Sequence, residues 1–397
     1  MAKKEVAVLE FGSSKISVLI GERGINHTFH IKGKAESDYS GFFKGEFFDE
    51  KDLKTAISMA ISNAMTSSGR RIKKLYVGVP SEFSYSELKE ASQAFSYKKR
   101  VNDNDIYTLF DSVDNYEETD LEHTVINRSP IYFILDDGRK VIDPNGIVTT
   151  KLTSQVSFIL AKKSFIELVD SILEELNIVN VQYTSSILAE SLYLLEPEVR
   201  DRYAILIDIG YITTSVALIR GDGLLSLSAF SIGGGHITGD LSQVLDLKFA
   251  EAEKLKRKVV LSLDASDDDF YETVVEGVMT PFPAKMVNEI VEDRLSLIAG
   301  TINKILHSVR VTYPDYLPIY LTGGGVSYLK GAKDYLAKSI GKNVEIVVPP
   351  VPELNSPHYS SLLGLLDLAL ENEESMKTNI VQAVWQKITE TIKKPKK

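Results

Sequence analysis

Two stretches of this chain set an acid beside a glycine turn and a pair of hydroxyls. In the first, Val6-Ala7-Val8-Leu9 leads to Glu10, then Phe11-Gly12, Ser13-Ser14 and Lys15, before an apolar run from Ile16 to Ile20. In the second, Ala204-Ile205-Leu206-Ile207 leads to Asp208, then Ile209-Gly210, Tyr211-Ile212 and Thr213-Thr214, before a run that ends at Ile219. An acid closing a buried strand can hold a hydrated metal ion, and turn N–H groups and hydroxyls can meet phosphate oxygens. Read alone, either stretch is equally a plain hairpin whose acid and glycine serve only the turn. The repetition argues otherwise, because Glu10 and Asp208 lie 198 residues apart, about half the chain. A duplicated α/β domain facing its copy across a cleft would set both turns against one ligand, and two such turns suit a polyphosphate.

Further glycine turns lie in the second half. Thr322-Gly323-Gly324-Gly325 ends a predicted strand, and Ser231-Ile232-Gly233-Gly234-Gly235-His236 precedes a predicted helix. Either could let the backbone approach a ligand closely, or could be only a flexible turn. Glu253 and Lys256 fall three apart on one helix face, the spacing of an ordinary exposed ion pair. No His, Asp and Ser set suggests nucleophilic catalysis.

The elements that must position these turns follow an alternating pattern. Residues 1–80 read as strand, strand, a helix over 52–65 with apolar residues at helical spacing, and a strand over 74–79 stopped by Pro80. Between 81 and 158 the chain becomes more polar. A short helix near 103–113 and strands near 131–135 and 146–158 predict an inserted α+β module. A helix over 165–176, a strand over 179–181 and a helix over 185–195 complete the half. The second half predicts helices over 237–247 and 250–258, a solvated acidic loop at 264–269, and a long helix over 286–309. Ile290, Leu297, Ile298, Ile302 and Ile305 share one side of that long helix. A strand over 317–321 and a helix over 329–339 follow, and the last unit closes near Ala369.

A chain of 397 residues should divide into two or more domains. The 44% hydrophobic and 25% charged content is that of a soluble globular protein, and the absence of cysteine excludes disulfides and cysteine metal sites. The opening residues run straight into the first strand, so no signal peptide is expected, and no apolar run reaches the roughly 18 residues of a spanning helix. The formal charge of −10 speaks against general nucleic-acid binding. Residues 376–397 depart from that balance, with six lysines against Glu390, so this tail is +5 and the remainder −15. Ile380, Val381, Val384, Trp385, Ile388 and Ile392 form one stripe on a helix, flanked by lysines that include Lys387, Lys393 and Lys394. An apolar face carrying the only Trp, with lysines beside it, predicts a helix lying on a membrane surface, set off by a polar linker at 371–375. A helix docked on the body or on a partner would give the same pattern.

Taken in order, these motifs resemble the actin, sugar-kinase and heat-shock-chaperone ATPase superfamily. Glu10–Ile20 is similar to its first phosphate loop, the stretch 204–218 to its second, and 321–331 to its adenosine motif. Within it, Gly233-Gly234-Gly235-His236-Ile237-Thr238-Gly239-Asp240 followed by Glu251-Ala252-Glu253-Lys254-Leu255-Lys256, together with 45–60, resembles the FtsA family of bacterial division proteins. The polar module, which contains Asp143-Pro144-Asn145-Gly146, lies where that family carries its IC subdomain.

The resemblance implies duplicated actin-like, ribonuclease H-like α/β domains facing across a nucleotide cleft. Subdomain IA would span 1–80 and 159–200, IC 81–158, and domain II 201–370 with a IIB insertion at about 240–310. A linker at 371–375 and the membrane helix at 376–397 would follow. ATP would meet Gly12, Ser13, Ser14, Lys15, Gly210, Thr213, Thr214, Gly234, Gly235, Glu253, Lys256, Gly323, Gly324 and Gly325. Glu10 and Asp208 would hold Mg²⁺ through water, with Asp208 assisting attack on the γ-phosphate. The implied role is a scaffold that forms actin-like filaments, tethers the FtsZ ring to the cytoplasmic membrane at the septum and recruits later division proteins.

One departure bears on turnover. The family pattern Asp-Ile-Gly-Gly-Gly-Thr-Thr-Asp carries Tyr211 and Ile212 in place of two glycines here, and Ser215 in place of the last acid. Side chains at those positions crowd a phosphate, so slow or absent hydrolysis is expected. A pilus-assembly adaptor of the PilM type and a small-molecule kinase of the same superfamily are the alternatives.

Overall fold

The computed structural model describes residues 5–24 and 28–375. Its first half opens with β1 (Glu5–Phe11), β2 (Lys15–Arg23) and β3 (Phe29–Asp38), an antiparallel meander. A short hairpin of β4 (Phe42–Phe43) and β5 (Glu46–Phe47) precedes α1 (Glu50–Ser68) and β6 (Leu75–Val79). Asp49 caps α1 by accepting from the Lys51 and Asp52 amides, and Gly69 ends it at φ 64°, a left-handed stop that glycine adopts without strain. Leu53, Ala56, Ile57, Ala60, Ile61 and Ala64 form its buried stripe. Then come β7 (Ser84–Arg100), α2 (Asp103–Asp111), α3 (Tyr116–Thr119), β8 (His123–Leu135), β9 (Lys140–Val141) and β10 (Val148–Lys162). The half closes with α4 (Lys163–Glu175), β11 (Val181–Ser185), α5 (Ser186–Leu194) and α6 (Pro197–Arg200).

The second half repeats the plan. It runs β12 (Ala204–Ile209), β13 (Thr214–Arg220), β14 (Gly223–Phe230), α7 (Gly234–Val244), α8 (Phe249–Lys256), the hairpin β15 (Phe270–Val275) and β16 (Val278–Pro283), and α9 (Ala284–Ser308). It ends with β17 (Ile319–Thr322), α10 (Ala332–Ile340), β18 (Val344–Ile346) and α11 (Ser360–Ser375). The two five-stranded sheets have the orders β11-β6-β1-β2-β3 and β14-β13-β12-β17-β18. Each joins an antiparallel meander to two strands parallel with its first strand. β1 and β12 are central in their sheets and carry continuous apolar runs, as strands covered on both faces must.

β7, β10, β8 and β9 form a separate four-stranded sheet with its own apolar core, which includes Ala91, Phe133, Leu152 and Phe158. It also touches the second half, since the Ser157 hydroxyl donates to the Leu224 carbonyl at 2.7 Å and accepts from the Leu224 amide at 3.1 Å.

Two expectations about the end of the chain are corrected. The segment 371–375 is the last part of α11 rather than a separate linker. Its Glu373 is buried and accepts from Lys74 Nζ at 2.6 Å and from the Tyr76 hydroxyl at 3.0 Å, so its acidity serves docking. The packing also changes before 370: Leu362, Leu363, Leu365 and Leu366 join Val6, Val8, Leu19 and Tyr76 on the first sheet. On α9, Ile298 and Ile302 are buried as expected, whereas Leu297 is exposed because the buried stripe runs through Val291 and Leu295. Among the described residues no helix is long and apolar enough to cross a membrane. The predicted tail helix at 376–397 lies outside the described residues.

Candidate functional site

The first strand of each half carries its acid one residue before its end, and the register makes the two ends equivalent. Glu10 stands opposite Ser17 across β1 and β2, and Asp208 opposite Ser215 across β12 and β13. Each turn closes the same way: the Gly12 amide donates to the Lys15 carbonyl at 2.9 Å, and the Gly210 amide to the Thr213 carbonyl at 2.8 Å. The turns meet across the molecule, where the Ile212 amide donates to the Ser13 hydroxyl at 2.9 Å.

Between them lies a cleft of about 530 Å³. Glu10, Gly12, Ser13, Ser14 and Lys15 line it from the first half, and Asp208, Gly210, Thr213, Gly323 and Gly324 from the second. Clefts of this size with a few converging polar groups are the usual form of small-molecule sites.

Its floor is acidic. Burial lifts the Glu10 carboxyl from 4.5 to about 8, helped by the charges of Asp208 and Glu36. Burial raises Asp208 to about 6. A third acid joins them: Glu190 on α5 is 1% exposed, and burial together with Asp208 and Glu10 pushes its carboxyl well above the usual range. Among the described residues Asp208 Oδ1 and Glu190 Oε2 have no hydrogen-bond partner. Three carboxyls crowded together, Glu190 buried and Glu10 and Asp208 half-buried, must take up protons or a cation. Among the described residues no three such groups converge closely enough to chelate a metal directly. The two unpartnered oxygens are positioned instead to accept from the water shell of a hydrated cation, which fits the chemistry of Mg²⁺. Glu190 was absent from the sequence reading; the signal for it is an acid inside the apolar run Ser-Ile-Leu-Ala-Glu-Ser-Leu, on a helix with no polar face there.

The remaining predicted residues brace the second turn. Gly234, Gly235 and Gly325 spend their amides on the carbonyls of Gly210, Tyr211 and Ile209, at 2.9, 2.7 and 2.7 Å. A side chain on Gly325 would strike the Ile209 and Gly210 carbonyls, so this glycine is required for backbone to pack on backbone. Gly323, at φ 90°, leaves the space taken by the Asp208 carboxylate. Thr214 is buried and its hydroxyl donates to the Ile232 carbonyl at 2.6 Å. Glu253 and Lys256 are not an exposed pair. Lys256 is buried, and its Nζ donates to the Gly234 carbonyl at 2.9 Å, to Thr238 Oγ1 at 2.8 Å and to Glu253 Oε2 at 2.7 Å. Their neighbours Arg257 and Tyr328 line the cleft in their place, with the guanidinium 5.1 Å from the ring centre. The Tyr211 ring leans over Gly235 and meets Phe249 edge-on at 6.3 Å, and Ile212 points towards Gly41.

Comparison with known proteins agrees with the order of the motifs. A family model described as cell division protein FtsA matches residues 205–364. The cell division protein FtsA of Bacillus subtilis is 23% identical over 369 residues, covering 92% of this chain and 83% of that protein. The likeness is to FtsA. The Streptococcus pneumoniae FtsA is 26% identical over 91% of this chain and 79% of its own length. Among solved structures, the PilM-PilN type IV pilus biogenesis complex matches with a TM-score of 0.60 at 18% identity, over 93% of this chain and 99% of that one. MreB 5 of Spiroplasma citri bound to AMPPNP gives 0.58 at 10% identity, over 95% and 99%. A MamK double helical filament gives 0.53 at 12% identity, over 92% and 98%. The fold is therefore actin-like, and the FtsA likeness spans most of the chain.

Proposed function

We propose that this chain is a nucleotide-binding division scaffold that forms actin-like filaments and holds FtsZ at the cytoplasmic face of the membrane at the septum. The single observation behind the nucleotide reading is the convergence of two equivalent acid-and-glycine turns on one cleft floored by three neighbouring carboxyls. The solved structure of MreB 5 with AMPPNP, and that of a MamK filament, support nucleotide binding and self-association for a chain of the same fold.

In this reading Ser13, Ser14, Lys15 and Thr213 meet the phosphates, and the glycines at 12, 210 and 323–324 let the backbone come close. Asp208 and Glu10 hold the water shell of Mg²⁺, whose charge, when bound, offsets that of the phosphates and the buried acids. Glu190, held protonated by burial and by the charges of Asp208 and Glu10, stays neutral behind them, and its free Oε2 accepts from the same water shell. Turnover is slow, because Tyr211 and Ile212 put side chains where the family pattern has glycines, and the Ile212 amide is already committed to Ser13.

The four-stranded sheet serves contacts between copies or with later division proteins, and the tail at 376–397 binds the bilayer. The test is co-sedimentation with purified FtsZ and anionic liposomes, with and without Mg-ATP. Joint pelleting of both proteins with the liposomes is expected. Pelleting of FtsZ with neither the protein nor its membrane-bound form would overturn the division role.

A further inference from the structure

The row of side chains that begins at Glu10 continues across the first sheet. Glu10 pairs with Ser17 on β2, and Ser17 pairs with Glu36 on β3. In the second sheet the same row runs Asp208, Ser215, Ala229. The fold itself therefore does not require an acid at the third place. Glu36 lines the cleft and binds Lys15, the first cation after the first turn, with Lys15 Nζ 3.0 Å from Glu36 Oε2. Asp38 lies 3.8 Å from the same ammonium but is 90% exposed, so solvent screens it. The other Glu36 oxygen takes Lys34 Nζ at 3.0 Å, and Lys34 also donates to the Tyr359 hydroxyl and lies over that ring. Glu36 thus has a second cation that stays when Lys15 leaves, and releasing Lys15 exposes no unpaired carboxylate.

We propose that Glu36 sets the anion affinity of the cleft by holding the Lys15 ammonium until a phosphate group displaces it. The proposal rests on the nucleotide reading above. A phosphate that recruits Lys15 must first break this ion pair, and it also meets the charge of Glu36 behind it, so the carboxylate weakens binding of any polyphosphate. A ligand without phosphates does not compete for Lys15 and escapes the effect.

Calorimetry with Mg-ATP and with adenosine, on the parent, Glu36→Gln, Lys15→Ala and the double variant, tests this. Glu36→Gln should tighten Mg-ATP by about 2- to 5-fold, the scale of one partly exposed ion pair, while adenosine affinity stays unchanged. Lys15→Ala should weaken Mg-ATP, and adding Glu36→Gln to it should give a clearly smaller gain than in the parent, from the removed charge alone. Glu36→Ser, with the same expectation, serves as the second variant should glutamine disturb folding, which a thermal melt reports. Unchanged or weaker Mg-ATP binding in both Glu36 variants would overturn the proposal, as would an equal gain in the Lys15→Ala background. If the parent binds Mg-ATP and the variants fail in these ways, only the role of Glu36 falls. If the parent binds no nucleotide, the reading of the cleft falls with it.

Discussion

The Ser13 hydroxyl accepts a hydrogen bond from the Ile212 amide at 2.9 Å, joining two turns that are 199 residues apart in the chain. This bond ties the halves together at the cleft and occupies an amide that a phosphate could otherwise use. Ser13→Ala should lower the stability of the ligand-free protein by about 1 kcal/mol, the worth of one such bond. Urea unfolding of the two proteins side by side measures it, and a difference near zero would mean that water replaces the hydroxyl without loss.

Asp208→Asn should act in opposite directions on the free and bound protein. Without ligand it removes a desolvated carboxylate that burial disfavours in its charged form, so the melting temperature should rise by a few degrees. With Mg-ATP it removes a fixed carboxylate from the metal shell, and affinity should fall by at least about tenfold. Calorimetry with and without Mg²⁺ separates the two effects, and a loss that persists without the metal would place Asp208 on the nucleotide itself.

The raised Glu10 carboxyl fixes the sign of a pH effect. The folded protein keeps a proton to about pH 8 that the unfolded chain releases near 4.5, so the stabilising contribution is full below 4.5 and is lost as pH rises through about 8. Glu10→Gln keeps the neutral shape at every pH. Its stability relative to the parent should therefore increase between pH 5 and pH 8, as denaturant melts across that range would record. Glu190→Gln should behave in the same direction, because its carboxyl is also held protonated.

Lys256 should matter more for folding than for ligand contact. Its ammonium joins α8 to the Gly234 carbonyl and to Thr238, and its loss would leave Glu253 and that carbonyl short of a donor. Lys256→Ala should cost about 3 kcal/mol, in the range for breaking a buried ion pair from one side. Equilibrium unfolding checks this, and a cost below about 1 kcal/mol would mean that water reaches the site.

In the tail, Trp385→Glu would place a charge in the apolar stripe. It should abolish pelleting with anionic liposomes and leave the unfolding midpoint and Mg-ATP binding unchanged. Pelleting equal to the parent, or a less stable body, would show that the tail is not a membrane helix.

What the sequence determined by itself were features that repeat locally. The apolar runs ending in Glu10 and Asp208, and the glycines after them, require strand and tight turn wherever they occur, and their repetition predicted paired domains around a cleft. The helix over Glu50–Ser68 was legible because its apolar residues recur at helical spacing. β7 was not legible: its 17 residues are rich in Ser, Glu and Lys, and only Ala91 is fully buried, since an edge strand shows most of its side chains to solvent. The β15 and β16 hairpin escaped for a similar reason, with Val278 and Met279 exposed at its turn end. Which residues reach the cleft was decided only in three dimensions. Spacing put Glu253 and Lys256 on one helix face, but the packing of α8 against α7 turned that face inward and left Arg257 and Tyr328 to line the cleft. Glu190 became visible only when α5 came to lie behind both strand ends, because a single acid in an apolar helix gains meaning from the charges it meets. The polar run at 371–375 looked like a linker because composition records charge and not its partner. Folding supplied the partner, by carrying α11 back over the first sheet to set Glu373 against Lys74 and Tyr76.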